Sequence, residues 1–512
     1  MSEVVLALDL GTGGCKASLW DSAGRMLGEE FEGYPTMHPR TGWNEQEPAD
    51  WRDAVIACTR RLVTRQAQAK VSGVALSGHS LGIVLLDGAG RPLEPTTPIW
   101  SDTRAVTEAG EIFADLDERS WYLRTGNGFT PALYPLAKAR WYARHRPEAW
   151  AATRMILGSK DWINHWLTGS IATDHSYASG SGMYELASAD YADDFLQAAG
   201  VARAQLPEPV ASHERVGDLT AEAAGVLGLT PGTPVFAGAV DNASMALGSS
   251  GVAEGRCYAS LGSSSWMTVT SATPVLDVDT RPYVFAHAIP GYYASALSTF
   301  STGTSIAWVR DLIGGGRELT ALLDEAMALD VDAAIPTCVP TLGGGTPLEG
   351  GPSVRGVFAG LDLSHGAAHL MRACMEGIAF SLERSLKALA SLVGIEGELL
   401  ISGGGARHGG WNQLYADIIG QPLVRTSVDQ QAAALGAAAI AWVGLGAWSY
   451  PDAERPHLVQ GTYRPDPRVA DAYQSRRTRF RALQTVLAET AGTFEFATSA
   501  TPWTRDGSTR ER

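Results

Sequence analysis

Three short glycine-rich loops in this chain expose runs of backbone N–H groups with little side chain in the way. They are Gly11-Thr12-Gly13-Gly14, Gly262-Ser263-Ser264 and Ser402-Gly403-Gly404-Gly405. Successive N–H groups in such turns form a nest for an anion. One such loop says little, because most glycine turns merely permit positive φ; three can together hold one nucleotide. The first loop carries more chemistry: Asp9 ends the strand before it, and Thr12 and Lys16 flank it. A carboxylate beside a phosphate nest suits Mg²⁺ held through water, and a lysine suits phosphate charge. Asp9 as a turn former beside a solvated Lys16 is the plainer alternative. A second carboxylate, Asp241, lies in Ala237-Gly-Ala-Val-Asp241-Asn242, where an apolar strand runs into a small-residue helix over 242–247. It can cap that helix, or it can be a general base held rigidly at a cleft edge.

Other motifs compete. Gly78-His79-Ser80-Leu81-Gly82 matches the GxSxG of many esterases, but that motif needs a turn from strand into helix, and an apolar strand, Ile83–Leu86, follows here. His365 and His369 are spaced as in a helical zinc site but lack the glutamate of that motif. No GxxxxGK[ST] occurs, and Gly11-x-Gly13 lacks the third glycine of a dinucleotide fold.

The elements that must position these residues alternate between strands and helices, which favours the α/β class. Strands are expected over 4–10, 16–20, 25–32 and 71–77, with a helix over 48–69 capped by Asp50 and helical patterns over 105–166. Around residue 250 the opening recurs: YASLGSSSWMTVT repeats the strand, turn and strand of ALDLGTGGCKASLW, with Ser260 where the first copy has Asp9. This points to a duplicated domain, and 512 residues are enough for two large cores. The division expected is 1–250, 251–490 and a polar, disordered tail over 491–512. The uncharged stretch 432–448 is short and Ala-rich for a membrane span, so a helix buried between neighbours is expected. A formal charge of −15 disfavours nucleic acid and anionic lipid as partners. Five scattered cysteines fit a reducing cytoplasm better than a disulfide framework, and no signal peptide is evident.

The chain resembles the FGGY carbohydrate kinases from about Val4 to Tyr473. The resemblance rests on the opening block, GWNEQEPADW (42–51), IWSDTRA (99–105), LTGSIATDHSYAS (167–179), AGAVDNASMALG (237–248), the stretch 355–382 and SGGGARHGGWNQLYADIIGQPL (402–423). It implies two ribonuclease-H-like domains closing over ATP, and it implies Asp241 as the base toward a sugar hydroxyl. Asp9 would organise Mg²⁺ and phosphate, with Gly11, Thr12, Gly13 and Lys16 around the phosphates. Gly262, Ser263 and Ser264 would form the second phosphate loop, and Gly404, Gly405 and Asn412 the adenosine site. Trp43, His79, Ser80, Leu81, Asp102, Arg104 and Asn242 would line the sugar side. The implied partner is a small sugar or polyol, and a homodimer is compatible with the resemblance.

Two departures concern the sugar. Family members acting on xylulose usually show Gln-Met-His-Gly where this chain has His79-Ser80-Leu81-Gly82, and many relatives carry Gly-Glu-Arg where it has Gly343-Gly344-Gly345. A pentulose or related polyol, D-xylulose first, is the expected substrate. A serine hydrolase using Ser80 and a non-catalytic actin-like ATP-binding protein are the readings from other classes.

Overall fold

The computed structural model describes residues 2–491; of the tail expected to be disordered, residues 492–512 lie outside the described residues. Two seven-stranded sheets organise the chain. The first contains β1 (Ser2–Gly11), β2 (Gly14–Asp21), β3 (Met26–Gly33), β4 (Ala69–Gly78), β5 (Arg215–Asp218), β6 (Pro234–Phe236) and β7 (Ala239–Val240). Its order is β5-β6-β4-β1-β2-β3, with β7 also on β4. The second contains β8 (Arg256–Leu261), β9 (Ser265–Ser271), β10 (Tyr283–Ala286), β11 (Tyr293–Thr299), β12 (Glu396–Ser402), β13 (Leu423–Thr426) and β14 (Val459–Tyr463), in the order β10-β11-β9-β8-β12-β13-β14.

The repeat read in the sequence is a repeat of topology. In each half an antiparallel pair turns on a glycine loop, β1 with β2 and β8 with β9. A third strand adds antiparallel to the second, and the first strand takes a parallel neighbour on its other side, β4 or β12. β1, β2 and β4 are each three residues longer than expected because ladder pairing continues into ends such as Asp21 and Gly78, whereas β3 keeps its expected length, shifted by one residue.

Helix α1 (Pro48–Arg65) begins with proline at its first position and buries Trp51, Val55, Cys58 and Leu62, one face at helical spacing, against the first sheet. It stops four residues earlier than expected. Asp50 lies inside the first turn; Glu47 is the N-cap and makes no capping bond. The helical region over 105–166 is interrupted by a short strand, Met155–Leu157, which pairs with Val84–Leu86. Two of its helices matter below, α2 (Pro135–His145) and α3 (Ser159–Thr168), and a short helix, α4 (His175–Ser179), follows.

The halves are tied together by two crossing helices, α5 (Asp241–Gly248) from the first and α6 (Ala432–Gly444) from the second. A side chain at Gly248 would collide with the Ala432 carbonyl, and one at Gly436 with the Ser244 carbonyl. The small residues of 432–448 therefore serve close helix approach. Among the described residues no helix is long and apolar enough to cross a membrane.

Candidate active site

The carboxyl ends of β1, β4 and β7 point to one place, and such strand ends are where open α/β sheets take their ligands. Asp9 on β1 pairs with Ser77 on β4; on the other flank of β4, Ser77 pairs with Ala239, two residues before Asp241. Burial pushes the Asp9 carboxyl above its ordinary range, opposed by the Ser77 hydroxyl and the Lys16 charge. The Asp241 carboxyl is pushed up to about 7 by burial, with the charge of Asp9 adding to the shift and hydrogen bonds from Asn242 opposing it. Asp241 Oδ1 accepts from Asn242 N at 2.8 Å and Asn242 Nδ2 at 2.9 Å. Oδ2 accepts from no described residue. Asp241 is the first residue of α5, whose N-cap is Val240, and it does not cap the helix. Asn242, expected beside the sugar, spends its amide on orienting Asp241.

Lys16, paired with Asp9 across β1 and β2, reaches over to the second half. Its Nζ lies 3.4 Å from Gln430 O and 3.4 Å from Gln431 Oε1. On that side Ser260 pairs with Ser402 as Asp9 pairs with Ser77, so the second and third loops repeat the placement of the first loop and the end of β4. The Gly262–Ser264 turn is held by Thr302 N on Ser263 O at 3.0 Å and Gly303 N on Gly262 O at 3.0 Å.

A cavity of about 630 Å³ opens there, lined by Gly262, Ser263, Gly404, Gly405, Arg407 and Trp411, with Gln430 at the Lys16 end. Ile306, Leu319 and Leu323 give it an apolar wall. Its size is that of a ligand pocket. At Gly13 and Gly404 a Cβ would meet no atom within 4 Å, so these positions leave room for something outside the chain to approach the backbone. The residues fit a nucleotide with its base in the second half and its phosphates near Lys16.

The remaining expected residues divide. Asn412 is fully buried and donates from Nδ2 to Ala406 O at 2.7 Å, so it braces the third loop from beneath and does not face the cavity. Thr12 is anchored, its Oγ1 accepting from Trp100 Nε1 at 2.9 Å and its carbonyl from Gln46 Nε2 at 2.8 Å. Asp102 and Arg104 bind each other twice, at 2.8 Å from both Nε and Nη2, and Arg104 Nη2 also reaches Glu45 Oε1 at 2.6 Å. The guanidinium, with its side chain 3% exposed, lies 3.9 Å over Trp43 and 4.8 Å over Trp141 on α2. Trp43, Asp102 and Arg104 thus form a closed wall element that joins the blocks at 42–51 and 99–105.

His79 turns its ring edge-on to Trp51, 5.9 Å away in the core, and burial holds the imidazole below its ordinary pKa. It does not replace the missing family histidine on the cleft side. The Leu81 side chain joins the buried cluster that also holds Trp121 and Tyr134. Its backbone is left-handed, with φ 59, and extended chain follows, not a helix. The esterase geometry is absent, and no described histidine bonds Ser80. His365 and His369 engage backbone groups, and no cluster of three metal-ligating side chains exists among the described residues.

Three residues escaped the motif reading. Trp100, 40% exposed, hangs over the first loop. Arg407 lines the same cavity and pairs with Asp429 at 3.3 Å. Lys138 of α2, wholly buried, donates to Leu81 O at 2.9 Å and Ile99 O at 2.8 Å. Trp100 and Arg407 stand inside blocks that the motif reading quoted; Lys138 carries no local signal.

The family model described as the FGGY family of carbohydrate kinases, N-terminal domain, matches residues 4–248, and that for the C-terminal domain matches 257–445. The chain is 30% identical to xylulose kinase of Lactococcus lactis subsp. lactis (strain IL1403), covering 92% of this chain and 94% of that protein. It is 30% identical to xylulose kinase of Escherichia coli (strain K12), with coverage of 93% and 98%. The crystal structure of xylulose kinase from Rhodospirillum rubrum superposes with a TM-score of 0.87 at 30% identity, over 96% of this chain and 100% of that one. With both halves matched by the family models, the chain belongs to the FGGY family of carbohydrate kinases, which transfer phosphate from ATP to a sugar hydroxyl.

Proposed function

We propose that this kinase phosphorylates a neutral pentulose, D-xylulose giving D-xylulose 5-phosphate, with residues 1–250 supplying the sugar site, first phosphate loop and base, and 251–490 the second loop and adenosine site. The observation that carries the reading is Asp241: a carboxylate with one free oxygen, poised near neutrality, facing Asp9 across the end of β4. It accepts the proton of the sugar hydroxyl as that oxygen bonds to the terminal phosphorus of ATP and the bond to ADP breaks. Positioning and charge neutralisation carry most of such a transfer. Lys16 and the amides of the two loops hold the phosphates, and closure of the halves keeps water from competing.

Asp9 suits Mg²⁺, since a carboxylate pushed up by burial gains from a nearby cation. With no three-ligand cluster among the described residues, the remaining positions would be water and phosphate oxygens, as is usual for this ion. When bound, Mg²⁺ would supply neutralisation of phosphate charge.

A neutral sugar is favoured over a sugar acid by the charges at the cleft. Asp9 and Asp241 are both acidic, Lys16 is committed toward the phosphate side, and the Arg104 guanidinium is closed off. We place the enzyme in the cytoplasm, where five free, buried thiols stay reduced. The test is ADP release with a panel of pentuloses, hexuloses, sugar alcohols and aldonates. Turnover that requires a sugar and is fastest with D-xylulose is expected; sugar-independent turnover, or turnover only with aldonates, overturns the reading.

A further inference from the structure

The block LTGSIATDHSYAS has no direct part in the site above, yet it supplies Asp174 and Ser176 to a buried polar network directly behind Asp241. Lys160, at the start of α3, has a side chain with 0% exposure, as have Asp161 and Asp174. Its Nζ lies 2.5 Å from Asp161 Oδ1 and 2.7 Å from Asp174 Oδ1. The other Asp174 oxygen accepts from Ser176 Oγ at 2.6 Å and Ser212 Oγ at 2.9 Å. Ser176 Oγ in turn accepts from the backbone N–H of Val240 at 2.8 Å, one residue before Asp241. At the other end of the segment, Asn164 Nδ2 donates to Ala237 O at 2.9 Å, and Lys160 Nζ stands 3.5 Å from the same carbonyl.

Between these two anchors the chain turns at Gly238, with φ 73, where a side chain would strike the Leu76 carbonyl oxygen. The short β7 ladder on Ser77 and Gly78 holds the segment on its remaining side. Three charges with no access to solvent are a poor device for stability alone, because well-packed apolar residues often do as well or better. Their value lies in geometry. Misplacing a reacting group by about 1 Å can cost on the order of 100-fold in rate.

We propose that Lys160, Asp174 and Ser176 are positioning residues for phosphoryl transfer, fixing the 237–240 segment so that Asp241 meets the sugar hydroxyl. The inference rests on Asp241 being the base.

Lys160→Met would leave two buried carboxylates unpaired and would test folding as much as positioning, so Ser176→Ala is the informative variant. It keeps the Lys160–Asp174 ion pair and removes only the hydroxyl that joins Asp174 to Val240 N. In the full-length protein, steady-state kinetics with ATP and D-xylulose should show kcat lowered about tenfold or more. KM for both substrates should stay within about twofold, as expected when only transition-state alignment is lost. The thermal midpoint should move little, and Ser176→Thr, which keeps the hydroxyl, should recover most of kcat. A kcat for Ser176→Ala within about twofold of the parent overturns the proposal. So does a loss matched by an equal fall in the folded fraction, or one that Ser176→Thr leaves unrepaired. Asp241→Asn is measured alongside. If it keeps full turnover, the base assignment fails, while the Ser176 result still reports whether the position of this segment matters to the rate.

Discussion

Asp9 and Asp241 approach the active site from opposite flanks of one strand, since Ser77 of β4 pairs with Asp9 on one side and with Ala239, two residues short of Asp241, on the other. In the proposed function this relationship joins the two roles a kinase needs. The carboxylate on the β1 flank sits beside the Gly11–Gly14 loop, and that on the β7 flank begins a helix and has a free oxygen. Their mutual repulsion, added to burial, helps bring the second to about 7, a range suited to taking a proton at neutral pH.

Asp241 must be ionised to act, so kcat/KM should rise with pH through about 7. Asp241→Asn should lose about 10²–10⁴-fold in kcat while keeping its affinity for ATP, measured by calorimetric titration. Stability carries the opposite sign. A carboxyl raised in the folded state stabilises the fold below its unfolded pKa and loses that contribution as pH rises through its folded one. The asparagine variant should therefore have the higher melting midpoint near pH 8 and lose that advantage near pH 4. A parent midpoint equal to or above that of the variant near pH 8 would show that Asp241 is not held in a costly environment.

Two adjacent glycines of the third loop should respond differently to alanine. Gly403 has φ 91, and its Cβ would lie 2.7 Å from the Leu261 carbonyl oxygen; Gly403→Ala should lower the thermal midpoint and the yield of folded protein. Gly404 has nothing within 4 Å and lines the cavity; Gly404→Ala should fold normally and raise KM for ATP several-fold. Equal KM values for the parent and Gly404→Ala would move the nucleotide away from this wall.

The family resemblance puts Arg104 at the sugar, whereas its charge is spent on Asp102 and Glu45 and its faces on Trp43 and Trp141. Arg104→Ala should thus cost stability, roughly 3–5 kcal/mol for breaking a buried pair, with a drop in the calorimetric midpoint. Lysine, which lacks the planar bidentate fork, should not restore it. An unchanged midpoint with a raised sugar KM would return Arg104 to the substrate.

Loops that work through their backbone were legible from composition, because glycine and serine between apolar runs leave little else for the chain to do. Asp241 was legible as one of two choices; it stands one residue inside the helix, with Val240 at the N-cap, and one of its oxygens accepts from Asn242 N. The apolar cavity wall of Ile306, Leu319 and Leu323 was silent, since these are ordinary helix or helix-edge residues until a cavity forms beside them. Asn412 and His79 turn their side chains into buried surroundings, which the motif reading did not show. Which side of the third loop or the end of β4 meets the core depends on α7 (Gly409–Ile419) and on Trp51 packing from elsewhere in the chain.

Lys138 offers a last test, at the turn that carries Leu81. It holds the left-handed Leu81 carbonyl with no carboxylate bonded to it, and burial, together with the Arg104 charge, pulls its ammonium down to about 7 against a partial counterweight from Asp102. Between about 7 and its ordinary value of 10.5 the unfolded chain binds the proton that the folded chain has released. Folding stability from this group therefore rises with pH across that window, by up to about 1.4 kcal/mol per pH unit. Urea unfolding at a series of pH values should show that slope in the parent and lose it in Lys138→Met, whatever the offset from the two unbonded carbonyls. Parallel stability curves for the two proteins between pH 7 and pH 10 would mean that Lys138 stays charged in the core.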